Sequence, residues 1–316
     1  MKLGVGVPVS GSWATPENQI EIVRRAESLG YATAWTFQRL LYALEPKDEY
    51  AAAPEPKWPP TFESVVDPLV TLSFLAGHTE RIRLGTAVVN VPFYPPVLLA
   101  RQAATLDLVS RGRLTLGLGL GWSRDEYEAV GVPFRRRGAR AEEFIRVLTA
   151  ALEDDELEHH GEMYAVPRSR IDPKPAQRPR PPILLGGTSE TALERVGRTA
   201  DGWISGNAAH PDRIAFAIDR IRDSARRAGR DPDKLMFVVR GSIRLSREPL
   251  DGERPAFWGN VDQVRQDVER ISKLGLTELF LELNFDPKIG SPYADAERSM
   301  DVARTVLEGL APRPEI

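Results

Sequence analysis

Cysteine is absent from the 316-residue chain, which excludes disulfides and thiolate metal sites. Histidine is scarce, with four residues in all, too few for a His-rich metal centre. Neither sign of charge is in excess. Lys plus Arg is 42 and Asp plus Glu is 45, a net charge of −3, so the electrostatic footprint of a nucleic-acid binder is missing. No uninterrupted apolar run reaches membrane-spanning length. Met1 leads straight into Lys2-Leu3-Gly4-Val5, which reads as a strand and not as the core of a signal peptide. Fixed-period repeats and low-complexity tracts are lacking too. The expectation is a cytoplasmic protein that uses neither nucleic acid nor membrane as a partner.

What the chain does have is alternation. Short apolar runs fall at Leu3–Val7, Ala32–Phe37, Ile82–Val89, Leu114–Leu118, Ile183–Leu185, Gly202–Ile204, Met236–Ile243 and Leu279–Leu283. Amphipathic stretches lie between them, at 16–29, 65–77, 97–109, 139–152, 189–199, 211–228, 260–273 and 294–309. Pro16 suits a first helical position, Asn260 suits an N-cap, and Gly30, Gly229 and Gly275 follow helices as C-terminal glycines do. Repeated strand–helix units mean parallel strands with helical crossovers. At this length they predict one closed (β/α)8 TIM barrel over residues 1–316. Three segments interrupt the rhythm: 40–63, 153–181 and 246–258, after strands two, four and seven. A barrel's active site is built from the loops after its strands. The first insertion is therefore expected to roof the pocket; the alternative is a surface loop.

Residues 113–122, RLTLGLGLGW, look at first like a dinucleotide loop. The spacing fails: Trp122 stands where G-x-G-x-x-G needs its third glycine, and no Gly-Lys-Ser/Thr of a Walker A loop is present. The stretch reads better as a barrel strand and the loop leaving it. Its glycines would let the backbone pass close to a flat ligand or take positive φ, with Trp122 as a wall. The alternative is relief of crowding inside the barrel. A second glycine site, Ile183-Leu-Leu-Gly-Gly-Thr-Ser189, ends a strand and starts a helix. Main-chain N–H groups and a helix N-terminus there would suit a phosphate, with Ser205-Gly206-Asn207 on the neighbouring loop. An ordinary capped turn is the alternative.

Four stretches together resemble the bacterial-luciferase-like superfamily of flavin- and coenzyme F420-dependent oxidoreductases: 26–35, 81–122, 183–204 and 259–281. The block 81–122 is the most specific, because strand, proline corner, helix and glycine strand follow in order. The resemblance implies a TIM barrel, commonly a homodimer, with a flat flavin or deazaflavin ring in the mouth. It implies a non-proline cis peptide backing the ring, matching Ala87–Val88. It places the phosphate on Gly186, Gly187 and Thr188 and on the next loop near Ser205 and Gly206. Many relatives carry an Asp-His near the ring, where this chain has Gln38 and Arg39. Arg39 stays charged at neutral pH and cannot shuttle a proton. It would bind an anionic substrate or stabilise an anionic ring, or else form a surface ion pair with the acidic 45–49 region.

Gln38, Arg39 and Asn90 are thus the catalytic candidates. Ala87, Val88, Asn90, Trp122, Gly186, Gly187, Thr188, Ser205 and Gly206 are the cofactor-binding ones. Asn207, Arg240 and Glu282 are further strand-end candidates, and Trp58, Phe93 and Tyr94 are possible apolar walls. Asp125 and Glu126 read as helix-starting residues, and His159-His160 as a surface turn. Coenzyme F420 would support hydride transfer to or from a small organic substrate. Reduced FMN, supplied by a separate reductase, would support a two-component monooxygenase. An Arg-, Ala- and Pro-rich composition with few Lys points to a high-GC genome and weights the deazaflavin. A non-catalytic flavin- or deazaflavin-binding protein is the rival of another class. A cofactor-free hydrolase or lyase would need carboxylates or a lysine converging at strand ends, and the chain shows few.

Overall fold

The computed structural model describes residues 1–50, 58–206 and 210–312. Eight parallel strands close on themselves: Lys2–Gly6, Thr33–Thr36, Arg83–Thr86, Leu114–Gly119, Ile183–Gly186, Gly202–Ser205, Met236–Ser242 and Glu278–Glu282. The first pairs with the last, Leu3 opposite Leu279, and the third with the fourth, Leu84 opposite Leu114. This is the (β/α)8 barrel that the alternation predicts. Each helical pattern becomes a helix: Pro16–Ser28, Pro68–Ala76, Pro96–Val109, Arg137–Glu153, Glu190–Thr199, Pro211–Arg227, Val261–Ser272 and Ala296–Gly309. The terminal signals act as read. The Thr15 hydroxyl accepts from Asn18 N–H ahead of Pro16, and Asn260 and Gln263 form a reciprocal capping box.

Two apolar layers hold the barrel. Outside the sheet, Leu84, Leu116 and Leu279 join Leu72, Leu99 and Phe144 of the helices in one buried core. Each such side chain contributes about 1.5–3 kcal/mol relative to exposure. Inside the sheet, Trp35, Leu184, Ile204, Val238 and Phe280 fill the lumen, with Ala87 and Val88 packed against them. Trp35 stacks on Phe280 with ring centres 5.4 Å apart. Beneath it, Glu278 accepts hydrogen bonds from Trp35 Nε1 (2.7 Å) and Thr33 Oγ1 (3.0 Å). Burial raises the Glu278 carboxyl, against the pull of those bonds.

The insertions are placed differently. The one starting at residue 40 follows the second strand at the mouth. Segment 153–181 follows the helix Arg137–Glu153 and forms an antiparallel hairpin, Leu157–His160 with Ala165–Ser169. Its far end is tied to the start of the fourth strand, where Gln177 Nε2 donates to Leu114 O at 2.8 Å. His159-His160 is thus a hairpin strand and not the surface turn expected. His159 Nε2 lies 3.1 Å from the Glu143 carboxylate, which also accepts from Met163 and Tyr164 N–H. The extended spacing of the hairpin, invisible in so short a run, decides this.

Candidate functional site at the barrel mouth

The C-terminal ends of the strands open on a cavity of about 690 Å³. Gln38, Arg39, Ala87, Val88, Asn90 and Trp122 line one side of it. Gly186, Gly187, Thr188, Ser205, Gly206 and Arg240 line the other. Asn207 lies outside the described residues. Glu282 is buried behind the lining, and Trp58, Phe93 and Tyr94 are not part of it.

The third strand is interrupted after Thr86, the Ala87–Val88 peptide is cis, and pairing resumes at Val89–Asn90. The glycine run of the fourth strand is explained by this neighbour. Thr86 Oγ1 donates to Gly117 O (2.8 Å) and accepts from Gly117 N–H (2.9 Å). A Cβ at Gly117 would stand 2.0 Å from Thr86 O, and one at Gly119 2.4 Å from Val88 Cγ2. The first two glycines therefore make room for the irregular third strand. The expectation that they open space for a flat ligand is corrected, because protein atoms already occupy that space.

Gln38 is a strut. Its Nε2 donates to Tyr94 Oη at 2.7 Å and its Oε1 accepts from Asn90 N–H at 2.8 Å. Both ends of the amide are engaged, which fixes the segment after the third strand to the second.

Arg39 does not pair with the 45–49 region. Its Nη2 lies 3.2 Å from Glu126 Oε2, with side-chain exposures of 7% and 1%. Its guanidinium lies within 5.0 Å of the Trp122 ring centre, 5.1 Å of Phe62 and 6.0 Å of Trp58. Burial lowers the Arg39 pKa and raises that of Glu126, and each charge only partly offsets the desolvation of the other. Glu126 does sit in the first turn of the short helix Arg124–Ala129, but it faces inward, and its Oε1 accepts from Leu40 N–H at 2.8 Å. That helix anchors the first insertion elsewhere too: Asp125 accepts from Lys47 N–H and Asp48 from Arg124 N–H. Tyr50, near the middle of the insertion, and Phe62, near its end, line the cavity.

At the opposite end the chain turns at Gly187, whose φ is +132°. A Cβ there would lie 2.7 Å from Ala192 Cβ, and the Gly187 carbonyl accepts from Trp203 Nε1 at 2.8 Å. Ser189 caps the helix Glu190–Thr199, accepting from Ala192 N–H. A second helix, Arg137–Glu153, begins at the same cavity, and its N-cap residue Arg136 gives no side-chain cap. Arg137 and Arg195 line this end, Arg195 paired with Glu142 at 3.2 Å. Reading the sequence missed both, as it missed the burial of Glu126. Helical spacing would place Arg195 on a solvent face, and a run of arginines before a helix reads as surface.

A flavin-type cofactor fits this shape. At Gly186 an added Cβ would meet nothing closer than 3.6 Å, and at Gly206 nothing closer than 3.7 Å. The chain's own packing does not demand glycine there, and the missing side chains leave volume to the cavity. Among the described residues no cluster of His, Cys, Asp or Glu could hold a metal ion. No helix among them is long and apolar enough to cross a membrane.

A family described as luciferase-like monooxygenase matches residues 2–270. An uncharacterised Mycobacterium tuberculosis protein is 33% identical over 294 residues, covering 91% of this chain and 90% of its own. The FMNH2-dependent dimethylsulfone monooxygenase of Pseudomonas putida is 35% identical over 160 residues, 49% of this chain and 44% of its own. Among solved structures, the monooxygenase RslO1 of Streptomyces bottropensis superposes with a TM-score of 0.77 at 20% identity, covering 98% of each chain. An F420-dependent secondary alcohol dehydrogenase with an F420–acetone adduct gives 0.72 at 17% identity, over 99% of this chain and 100% of that one.

Proposed function

Because the chain belongs to the luciferase-like monooxygenase family, we propose that it is an oxidoreductase that uses the deazaflavin coenzyme F420 for hydride transfer to or from a small organic substrate. The observation that carries this reading is the two-ended cavity. One end carries Gly187 and Thr188, two helix N-termini, and Arg137 and Arg195, a set suited to a phosphate. Between the ends, Val88, Ile204 and Phe280 form an apolar floor for a flat ring. The other end is aromatic and suits a substrate. When bound, the cofactor supplies or accepts the hydride. The chain's part is binding, orientation and exclusion of water: Gln38 fixes Asn90 beside the ring position, and Trp122 walls it. Among the described lining residues there is no His, Lys, Cys, Asp or Glu to move a proton at neutral pH.

The similarity to an FMNH2-dependent enzyme favours a second reading, a reduced-FMN monooxygenase served by a separate reductase. Titration of the purified protein with F420 and FMN, each oxidised and reduced, separates them by absorbance and fluorescence. The expected result is saturable F420 binding at least tenfold tighter than FMN, about 1.4 kcal/mol. Tighter binding of reduced FMN selects the second reading, and binding of neither removes both. Cofactor binding without turnover of any carbonyl, alcohol or sulfur substrate would favour a non-catalytic binding protein.

We also infer a homodimer. The helices Pro68–Ala76 and Pro96–Val109 pack together and expose Val70 (70%), Leu98 and Val109 (55%) on their outer faces. Sedimentation should give twice the chain mass, and Val70→Glu should shift it toward monomer.

A further inference from the structure

We propose that the aromatic end of the cavity binds a carboxylate on the substrate, and that Arg39 recognises it. The proposal rests on the reading of the cavity as a cofactor and substrate site. It names the substrate class: a small anion with an apolar or aromatic body.

The first observation is an unmatched donor. Arg39 Nε–H donates to Gln38 O at 2.8 Å, and Nη2 faces Glu126. Nη1 is buried and has no hydrogen-bond partner among the described residues. A buried N–H without an acceptor carries a desolvation cost that an incoming acceptor removes. The guanidinium is held by its Nε–H bond to Gln38 O and by the charge of Glu126, whose Oε2 likewise has no hydrogen-bond partner among the described residues, and its planar fork suits a carboxylate.

The second observation is the charge of the lining. Arg39, Arg137, Arg195 and Arg240 line the cavity, and no acidic side chain does among the described residues. Glu126 and Glu282, which face Arg39 and Arg240, stand behind the guanidiniums. The surface presented to a ligand is cationic although the pairs are neutral. Arg137 and Arg195 belong to the Thr188 end. Arg39 and Arg240 flank a pair of rings: Arg39 lies 5.1 Å from Phe62, Phe62 lies 6.0 Å from Phe285, and Arg240 lies 3.8 Å over Phe285. An apolar body rests on these rings while its carboxylate meets the Arg39 guanidinium. A neutral isostere such as an amide can still accept from the guanidinium through its carbonyl, but it lacks the charge that strengthens the bond and so binds more weakly.

Benzoate and benzamide are the probes. Cofactor-free protein is titrated with each at neutral pH, following tryptophan fluorescence, since Trp122 and Trp58 lie within 6.0 Å of the Arg39 guanidinium. Benzoate should saturate, benzamide should bind at least tenfold more weakly, and inorganic phosphate should not compete. Arg39→Met should weaken benzoate at least tenfold. That variant leaves Glu126 unpaired, so the double variant Arg39→Met/Glu126→Gln, with both charges removed, is measured beside it. It should melt close to the wild type and still lose benzoate. The proposal is overturned by any of four results: no saturable benzoate binding, benzamide equal to benzoate, displacement of benzoate by phosphate, or full affinity in the double variant. None of these depends on the cofactor titrations, so failure of the F420 reading and failure of the carboxylate site are told apart.

Discussion

Gly186, Gly187 and Thr188 close one end of the cavity with main chain, a glycine at positive φ and a capped helix terminus. Arg39, Tyr50, Phe62 and Trp122 close the other end with side chains drawn from three separate parts of the chain, backed by Glu126 from a fourth position. The main-chain part of the first end is local, written in consecutive residues, and Arg137 and Arg195 join it from elsewhere. The second exists only once distant segments have packed. A main-chain site tolerates changes of side chain but not of backbone conformation. An assembled side-chain site does the reverse, and its weak point is a buried charge pair.

The sharpest way to break that comparison is Glu126→Ala. It strands the Arg39 guanidinium in the protein interior, and removing one partner of a buried pair costs about 3–5 kcal/mol. Urea denaturation measures it. A loss below about 1 kcal/mol, the size of an exposed pair, would show the pair to be solvated. At the other end, Gly187→Ala forces a Cβ into positive φ and against Ala192, with an expected loss of about 1–3 kcal/mol. Thr188→Ala beside it should stay within about 0.5 kcal/mol. If the two melt alike, the glycine is not the constraint.

Thr188→Asp tests the ends as binding sites without straining the loop. It should weaken the cofactor about tenfold, or about 1.4 kcal/mol, and leave benzoate binding unchanged. Weakening of both ligands together would merge the two ends into one site. The smallest effect expected is on pH dependence. Burial holds the Glu126 carboxyl above the usual carboxylate range, outweighing Arg39 and the Leu40 N–H, with Asp125 adding to the rise. A raised folded-state pKa means that the folded protein holds the proton more tightly than the unfolded chain. The stability it contributes is fully present below the unfolded pKa and is lost as pH rises through the folded one. Stability should therefore gain slightly as pH falls from neutral toward that range, and less so in Glu126→Gln. Glu278 and Glu282, also raised by burial, cancel in that difference.

Much of the molecule was legible before folding. Periodicity, cap residues and terminal glycines are local signals, and they gave eight strands and eight helices in the right order. Gly186-Gly187-Thr188 was legible for the same reason, because a strand end, a glycine pair and a capping Ser189 are neighbours in the chain. Arg39 was legible as a departure from the family pattern, but its partner was not. Residues 39 and 126 have no sequence relation, and a glutamate in a first helical turn has a sufficient local explanation. The glycines at 117 and 119 misled for a related reason. Their role is set by Thr86 and Val88 across the sheet, which no pattern within residues 113–122 contains.

The sequence by itself determined the barrel, its element order and the main-chain end of the cavity, because these follow from interactions a few residues apart. Only the tertiary structure decided which charges are buried, what Arg39 faces and why the fourth strand needs its glycines. Those are properties of the space between segments, and burial and desolvation take effect only after the segments meet.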